Sequence, residues 1–110
     1  MAALEAEKTL RARVESLLLP RLHRSDITAE SIASGLGMSR QTMYRRLRDE
    51  DVSFAEILDA LRHRMAADYI GARKISVNQT AYLVGFSEPS SFVRAFKRWT
   101  GMTPARFRAT

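Results

Sequence analysis

The sequence repeats itself at an interval of 48 to 49 residues, and this repeat restricts the fold more than any other feature. Residues 32–39 (IASGLGMS) align with residues 80–87 (TAYLVGFS), with alanine, glycine and serine at matching places. Residues 43–47 (MYRRL) then align with residues 92–96 (FVRAF). An interval of this length holds two helices and a turn, so each copy is predicted to be one helix–turn–helix unit.

Helical spacing of apolar residues runs through the chain, and the alternation typical of strands is absent. Leu10, Val14, Leu17 and Leu18 form one helical stripe that ends near Pro20. Later helices are predicted to begin at polar capping residues and to stop at glycines. The predicted caps are Thr28, Ser39, Ser53 (paired with Glu56), Ser76 (paired with Gln79), Ser87 and Thr103, and the stops are Gly37, Gly85 and Gly101. The fold class is therefore all-α, with seven helices.

These helices predict four segments along the chain. They are an N-terminal helix (1–19, its first eight residues part of an interdomain linker), a first helix–turn–helix subdomain (20–52), a linker helix (53–70) and a second helix–turn–helix subdomain (71–110). An 18-residue helix is about 27 Å long, and successive major grooves on one face of DNA recur every ~34 Å. If the second helices of the two units bind DNA, a linker of this length would let these two recognition helices reach successive major grooves.

Charge is concentrated in patches, although the net value is only +6. Residues 38–48 contain four arginines and no acid, whereas residues 49–59 contain five acids and no base. Arginine suits bidentate recognition of phosphates and base edges. A patchy basic surface favours a polyanionic partner.

The outward faces of the second helix in each unit are predicted to carry this charge. With Met43 and Leu47 turned inward, the outward residues are Gln41, Arg45 and Arg48. With Phe92 turned inward, the outward residues of the second copy are Ser87, Ser90, Arg94 and Lys97. Glutamine and arginine read adenine and guanine edges, while serine and lysine more often hold phosphates.

Two stretches resemble the AraC/XylS family of bacterial transcription regulators. They are LGMSRQTMYRRLRDEDVSF at 36–54 and GFSEPSSFVRAFKRWTGMTPARFR at 85–108, and the resemblance covers residues ~20–108. It implies two homeodomain-like units bridged by a long helix, binding to double-stranded promoter DNA, and contact with RNA polymerase. The base-reading positions that it implies are Gln41, Thr42 and Arg45, with Tyr44 beside them, and Pro89, Ser90, Ser91 and Arg94.

The complete predicted DNA-contacting set adds flanking residues to these positions. It comprises Ser39, Arg40, Gln41, Thr42, Tyr44, Arg45, Arg48, Ser87, Pro89, Ser90, Ser91, Arg94, Lys97 and Arg98. Two positions depart from the family pattern. Asp51 stands where glycine is common, which predicts a strained or differently closed helix end, and Pro89 has no polar group with which to read a base.

The resemblance also bears on what else the protein needs. Many family members carry an N-terminal effector or dimerisation domain, for which this chain has no spare core. We expect a cytoplasmic protein with no cofactor and no membrane contact. A helical module that docks acidic proteins and an RNA-binding protein are the alternative interpretations.

Enzymatic and metal chemistry are not expected. The chain has no cysteine, no nucleophile elbow and no glycine-rich phosphate loop. His23 and His63 are interpreted as surface or capping residues. The carboxylates of Asp49, Glu50 and Asp51 are adjacent at a helix end, so they are expected to be solvated rather than to converge on a metal.

Overall fold

The computed structural model describes residues 9–110, and seven α-helices and no strand lie in that part of the chain. The helices are α1 (Leu10–Leu18), α2 (Ala29–Gly35), α3 (Arg40–Asp49), α4 (Phe54–Ala72), α5 (Val77–Leu83), α6 (Pro89–Thr100) and α7 (Pro104–Ala109), with a 3₁₀ turn at Leu19–Arg21. The predicted all-α class and the seven helices are confirmed. The expected linker tail, residues 1–8, lies outside the described residues.

The chain divides into two compact units, and the division falls within α4. Of the described residues, the first unit contains 9–21 and Asp26–Leu61, and the second contains Leu22–Ser25 and Arg62–Thr110. None of the described helices is long and apolar enough to span a bilayer.

The first unit has an aliphatic core. Helices α1, α2 and α3 contact one another, and α4 begins within the same unit. The buried residues are Leu10, Val14, Leu18, Ile32, Ala33, Met43, Leu47, Ile57 and Leu61. Side chains of Thr9, Thr28 and Ser39 cap α1, α2 and α3, and Ser53 and Glu56 exchange the hydrogen bonds of a capping box at α4. Apolar spacing and capping chemistry therefore agree along this part of the chain.

The second unit is built around aromatic rings. Phe92 and Phe96 are fully buried with Ala66, Ile70, Ala81 and Val84. The ring of Phe96 makes an edge contact with Phe107 of α7, at 5.2 Å between centroids. The Ser76–Gln79 capping box is present at α5. Because α5, α6 and α7 all contribute to one core, α6 is held from both of its neighbouring helices.

One predicted cap is wrong. Ser87 was expected to cap α6, but the N-cap residue is Glu88, which makes no side-chain capping bond. Pro89 occupies the first helical turn, as expected. Proline there has a fixed helical φ and lacks an amide that would need a partner, which lets α6 begin without a capping side chain.

Candidate nucleic-acid interface

The turn between the two helices of each unit has the same hydrogen-bonded geometry. Gly37 and Gly85 both have a left-handed backbone, with φ of 73° and 94°. In the first turn, Met38 N donates to Ala33 O at 3.0 Å, and in the second, Phe86 N donates to Ala81 O at 3.0 Å. This is the Schellman closure, which needs a residue that tolerates positive φ. The predicted role of both glycines is confirmed.

Helix α3 presents the expected face. Met43 and Leu47 are fully buried, whereas Gln41, Arg45 and Arg48 are exposed. Three polar side chains of the kind that reads or holds nucleic acid therefore project from one helix, over a fixed apolar base.

The beginning of α3 is rigidly organised. Ser39 Oγ accepts a hydrogen bond from Thr42 N at 3.1 Å, and the Ser39 hydroxyl donates to Thr42 Oγ1 at 3.0 Å. Thr42 is half-buried, so its methyl and hydroxyl are held in place. Tyr44 is 41% exposed and lies beside them on the same helix.

Arg40 has two neighbours that the sequence analysis did not predict. Its Nη1 lies 3.5 Å from Glu30 Oε1 of α2, and its guanidinium lies 5.9 Å from the centroid of the Tyr44 ring. Glu30 brings a carboxylate next to a face that the helix sequence alone shows as free of acids. Only the packing of α2 on α3 reveals it, because residues ten apart on separate helices leave no periodic signal.

Helix α6 presents a second polar face. Ser87, Ser90, Arg94, Lys97 and Arg98 are exposed, and Pro89 and Ser91 are half-buried. Arg94 Nη2 donates to Ser91 Oγ at 3.2 Å, so part of its hydrogen-bonding capacity is used within the helix. The guanidinium of Arg98 lies 6.0 Å from the Trp99 ring centroid.

The turn before α6 is enclosed by its own unit. A Cβ at Gly85 would lie 2.5 Å from Leu22 O and 2.9 Å from Arg62 Nη2. The Arg62 guanidinium also lies 5.7 Å from the centroid of the Phe86 ring. Phe86 in turn contacts the rings of Phe92 and Trp99. The start of α6 is therefore fixed by a backbone segment and by the half-buried side chain of Arg62.

The acidic cluster after α3 has a more specific structure than the sequence suggested. Asp51 has a φ of 58°. Two backbone hydrogen bonds close the helix: Asp51 N donates to Arg48 O at 2.9 Å, and Val52 N donates to Leu47 O at 3.1 Å. The expectation of strain at Asp51 is thus confirmed. Glu50 is exposed, as expected, and in addition both of its carboxylate oxygens accept backbone hydrogen bonds from α1.

An open depression of about 530 Å³ lies where α3 ends and α4 begins. It is lined by Tyr44, Leu47, Arg48, Asp51, Val52, Ser53, Phe54, Ala55 and Glu56. Among the described residues, no group of three or more histidine, cysteine or acidic side chains is placed to hold a metal ion.

Comparison with known proteins agrees with this geometry. The family model described as "Helix-turn-helix domain" matches residues 32–110. The HTH-type transcriptional regulator VirS of Mycobacterium tuberculosis is 36% identical over 106 residues, which is 96% of this chain and 31% of that protein. The chain thus spans about a third of the length of the curated relatives it matches.

Solved structures share the fold over nearly the whole chain. A DNA-binding transcriptional dual regulator from Escherichia coli K-12 superposes with a TM-score of 0.88 at 27% identity, covering 94% of this chain and 92% of that one. The DNA-binding domain of AdpA, a global transcriptional factor crystallised with a target DNA, gives a TM-score of 0.79 at 29% identity, covering 93% and 92%. The chain belongs to the AraC/XylS-type helix–turn–helix family, whose members are DNA-binding transcription regulators and not enzymes.

Proposed function

We propose that α3 and α6 are the two recognition helices of a bacterial transcription regulator that binds promoter DNA. In the first unit, Gln41, Thr42 and Arg45 read bases, with Tyr44 beside them. In the second unit, Ser90, Ser91 and Arg94 read bases, and Pro89 makes an apolar contact. The flanking residues Ser39, Arg40, Arg48, Ser87, Lys97 and Arg98 hold phosphates.

The observation that carries this proposal is the repeated arrangement of α3 and α6. Each follows a left-handed glycine turn, buries its apolar face in its own unit and exposes arginine among neutral polar side chains. Arginine and glutamine discriminate base edges in the major groove, whereas serine and lysine mainly contact phosphates. The complex of AdpA with its target DNA supports the same use of the fold.

A selection of bound duplexes from a random pool tests this proposal. We expect two unlike blocks in direct order, about 10 bp apart, because the two units differ in sequence and repeat head to tail. Inserting about 5 bp between the blocks would turn the second one to the opposite side of the duplex and lower the affinity. Unchanged affinity would mean that only one unit reads bases.

A salt titration tests the electrostatic part separately. Each phosphate that is neutralised contributes a slope of about −0.9 to log K against log salt concentration. We therefore expect a steep loss of affinity between about 50 and 200 mM salt. A protein-docking module with acidic partners would instead show no selected DNA sequence, and that outcome would contradict the proposal.

The wider role of the protein is also proposed. RNA polymerase is the expected partner once promoter DNA is bound, and an effector-binding or dimerisation domain is expected to act together with this part of the protein. A coverage of about a third of each curated relative is compatible with that division. We place this activity in the cytoplasm, where promoter DNA is found.

A further inference from the structure

Helix α1 begins against the end of the first recognition helix. Glu50, the C-cap residue of α3, accepts a hydrogen bond from Leu10 N on Oε2 at 2.9 Å and from Arg11 N on Oε1 at 3.1 Å. These residues are separated by about 40 positions in the sequence. We call this contact between the Glu50 carboxylate and the two amides the α1–α3 clasp.

The clasp completes the start of α1. A helix leaves its first four amide groups without partners inside the helix. Here Glu50 accepts from the amides of Leu10 and Arg11, and Thr9 Oγ1 accepts from Ala12 N at 3.1 Å. The next amide, Arg13 N, makes the first i→i−4 bond, to Thr9 O at 3.1 Å. Two of the three amides before that bond are therefore satisfied by a residue at the end of another helix.

The clasp also relieves an electrostatic conflict at the end of α3. Asp49, Glu50 and Asp51 place three carboxylates at the C-terminus of a helix, where the helix dipole disfavours negative charge. The N-terminus of α1 carries the opposite partial charge and lies directly against Glu50. The favourable interaction of the carboxylate with the N-terminus of α1 therefore offsets its unfavourable interaction with the C-terminus of α3.

Glu50 lies inside the hydrogen-bonded turn that closes α3. The backbone N of its neighbour Asp51 donates to Arg48 O at 2.9 Å, and the backbone N of Val52 donates to Leu47 O at 3.1 Å. Arg48 is one of the proposed DNA contacts, and Leu47 is the buried residue that seats the last turn of α3. A displacement of Glu50 is therefore passed to the last turn of α3 through bonded neighbours.

We propose that Glu50 is a positioning residue that couples the start of α1 to DNA reading by α3. The inference rests on the proposed function of α3 and adds a means of regulating it. Because α1 begins at the clasp, a displacement of its first turn acts on the end of the recognition helix. DNA binding to α3 acts in the reverse direction on the first amides of α1, because coupling between two sites is reciprocal.

Four variants of the full chain separate this role from general stabilisation. Glu50→Ala removes both acceptors, and Glu50→Gln keeps one neutral acceptor oxygen. Asp49→Asn removes an equal charge from the adjacent position. Thr9→Ala removes the bond to Ala12 N and weakens the start of α1 without touching α3.

The measurements are affinity for the selected duplex, affinity for a duplex with the first block scrambled, and NMR signals of the Leu10 and Arg11 amides with and without DNA. We expect Glu50→Ala, which loses both hydrogen bonds to α1, to weaken specific binding about tenfold and to reduce discrimination against the scrambled block. The affinity of the Glu50→Gln variant for the selected duplex should lie between those of Glu50→Ala and the unsubstituted chain. In the unsubstituted chain, DNA should shift the two amide signals, and in Glu50→Ala it should not.

Several results would overturn the inference. Equal losses of DNA affinity in Thr9→Ala and Glu50→Ala would reduce Glu50 to a stabiliser of α1. If Asp49→Asn changed DNA affinity as much as Glu50→Ala does, the effect of Glu50 would be one of charge alone. DNA binding that leaves the Leu10 and Arg11 amides unshifted in the unsubstituted chain would exclude coupling. If that chain selects no duplex at all, it is the proposed function that fails.

Discussion

The two helix–turn–helix units repeat one plan but stabilise it by different means. In the first, hydroxyl caps and carboxylate bonds organise the helix ends, and the core is mainly aliphatic. In the second, aromatic rings fill the core, and the N-cap of α6 makes no side-chain bond. The first unit thus adds side-chain bonds at both ends of its recognition helix to an aliphatic base, whereas the second combines an aromatic base with the enclosed turn at Gly85.

The same contrast appears on the exposed faces. The first recognition helix offers Gln41 and Arg45, both long side chains that match base edges. The second offers Pro89, short serines and an Arg94 that is partly engaged by Ser91. We therefore expect the first unit to read sequence more strongly, and the second to contribute more through phosphates and rigidity.

The largest expected effect is the difference in stability between alanine substitutions at the two glycine turns. Gly85→Ala would force a Cβ to within 2.5 Å of Leu22 O, so we expect it to lower the free energy of unfolding by at least about 3 kcal/mol. Gly37→Ala meets no atom within 4 Å and bears only the backbone cost of its positive φ, about 1 kcal/mol. Urea unfolding followed by circular dichroism measures both, and the fluorescence of Trp99 reports on the second unit. Equal losses of unfolding free energy in the two variants would show that the atoms around Gly85 do not contribute to the cost of the substitution.

The next effect compares the two arginines on the recognition helices. Arg45→Ala should lower affinity for the selected duplex by about 1–3 kcal/mol and relax base preference in the first block. Arg94→Ala should fall at the low end of that range, because Arg94 already shares a hydrogen bond with Ser91. Lys97→Ala is the control and should weaken all duplexes alike. Binding selections with each variant distinguish these outcomes, and an unchanged selected sequence for Arg45→Ala would make Arg45 a phosphate contact.

A smaller effect concerns the strained end of α3. Asp51→Gly should raise the free energy of unfolding by about 0.5–1 kcal/mol, because glycine adopts the positive φ of Asp51 without steric cost. Asp51→Asn removes the charge but keeps the side chain, so it separates backbone strain from electrostatics. Thermal unfolding provides the measurement. A gain as large in Asp51→Asn as in Asp51→Gly would assign the effect to charge at the helix end.

The smallest effect concerns the acid beside Arg40. Glu30→Gln removes an exposed ion pair at 3.5 Å and should change stability by only a few tenths of a kcal/mol. It should raise DNA affinity about twofold at low salt, since Arg40 no longer has a competing carboxylate. Titrations at two salt concentrations test this. A gain that persists at high salt would rule out the electrostatic explanation.

Most of the fold followed from local rules. Apolar spacing placed the helices, and Ser39, the Ser53–Glu56 pair and the Ser76–Gln79 pair marked three helix starts that the structure confirms. Ser87 failed as a cap because a nearby proline was enough to start α6. Capping depends on a few neighbouring residues, which is why such predictions succeed locally and err by one position.

The sequence by itself determined the two glycine turns, the apolar faces and the polar faces of the recognition helices, since each depends on spacing within about twenty residues. Only the tertiary structure decided that Glu50 caps α1, that Glu30 approaches Arg40 and that Leu22 O closes over Gly85. Each of these contacts joins side chains or backbone from separate elements. No periodic pattern in the sequence predicts such a contact. The contact depends on how the helices pack against one another and not on the order of residues along one helix.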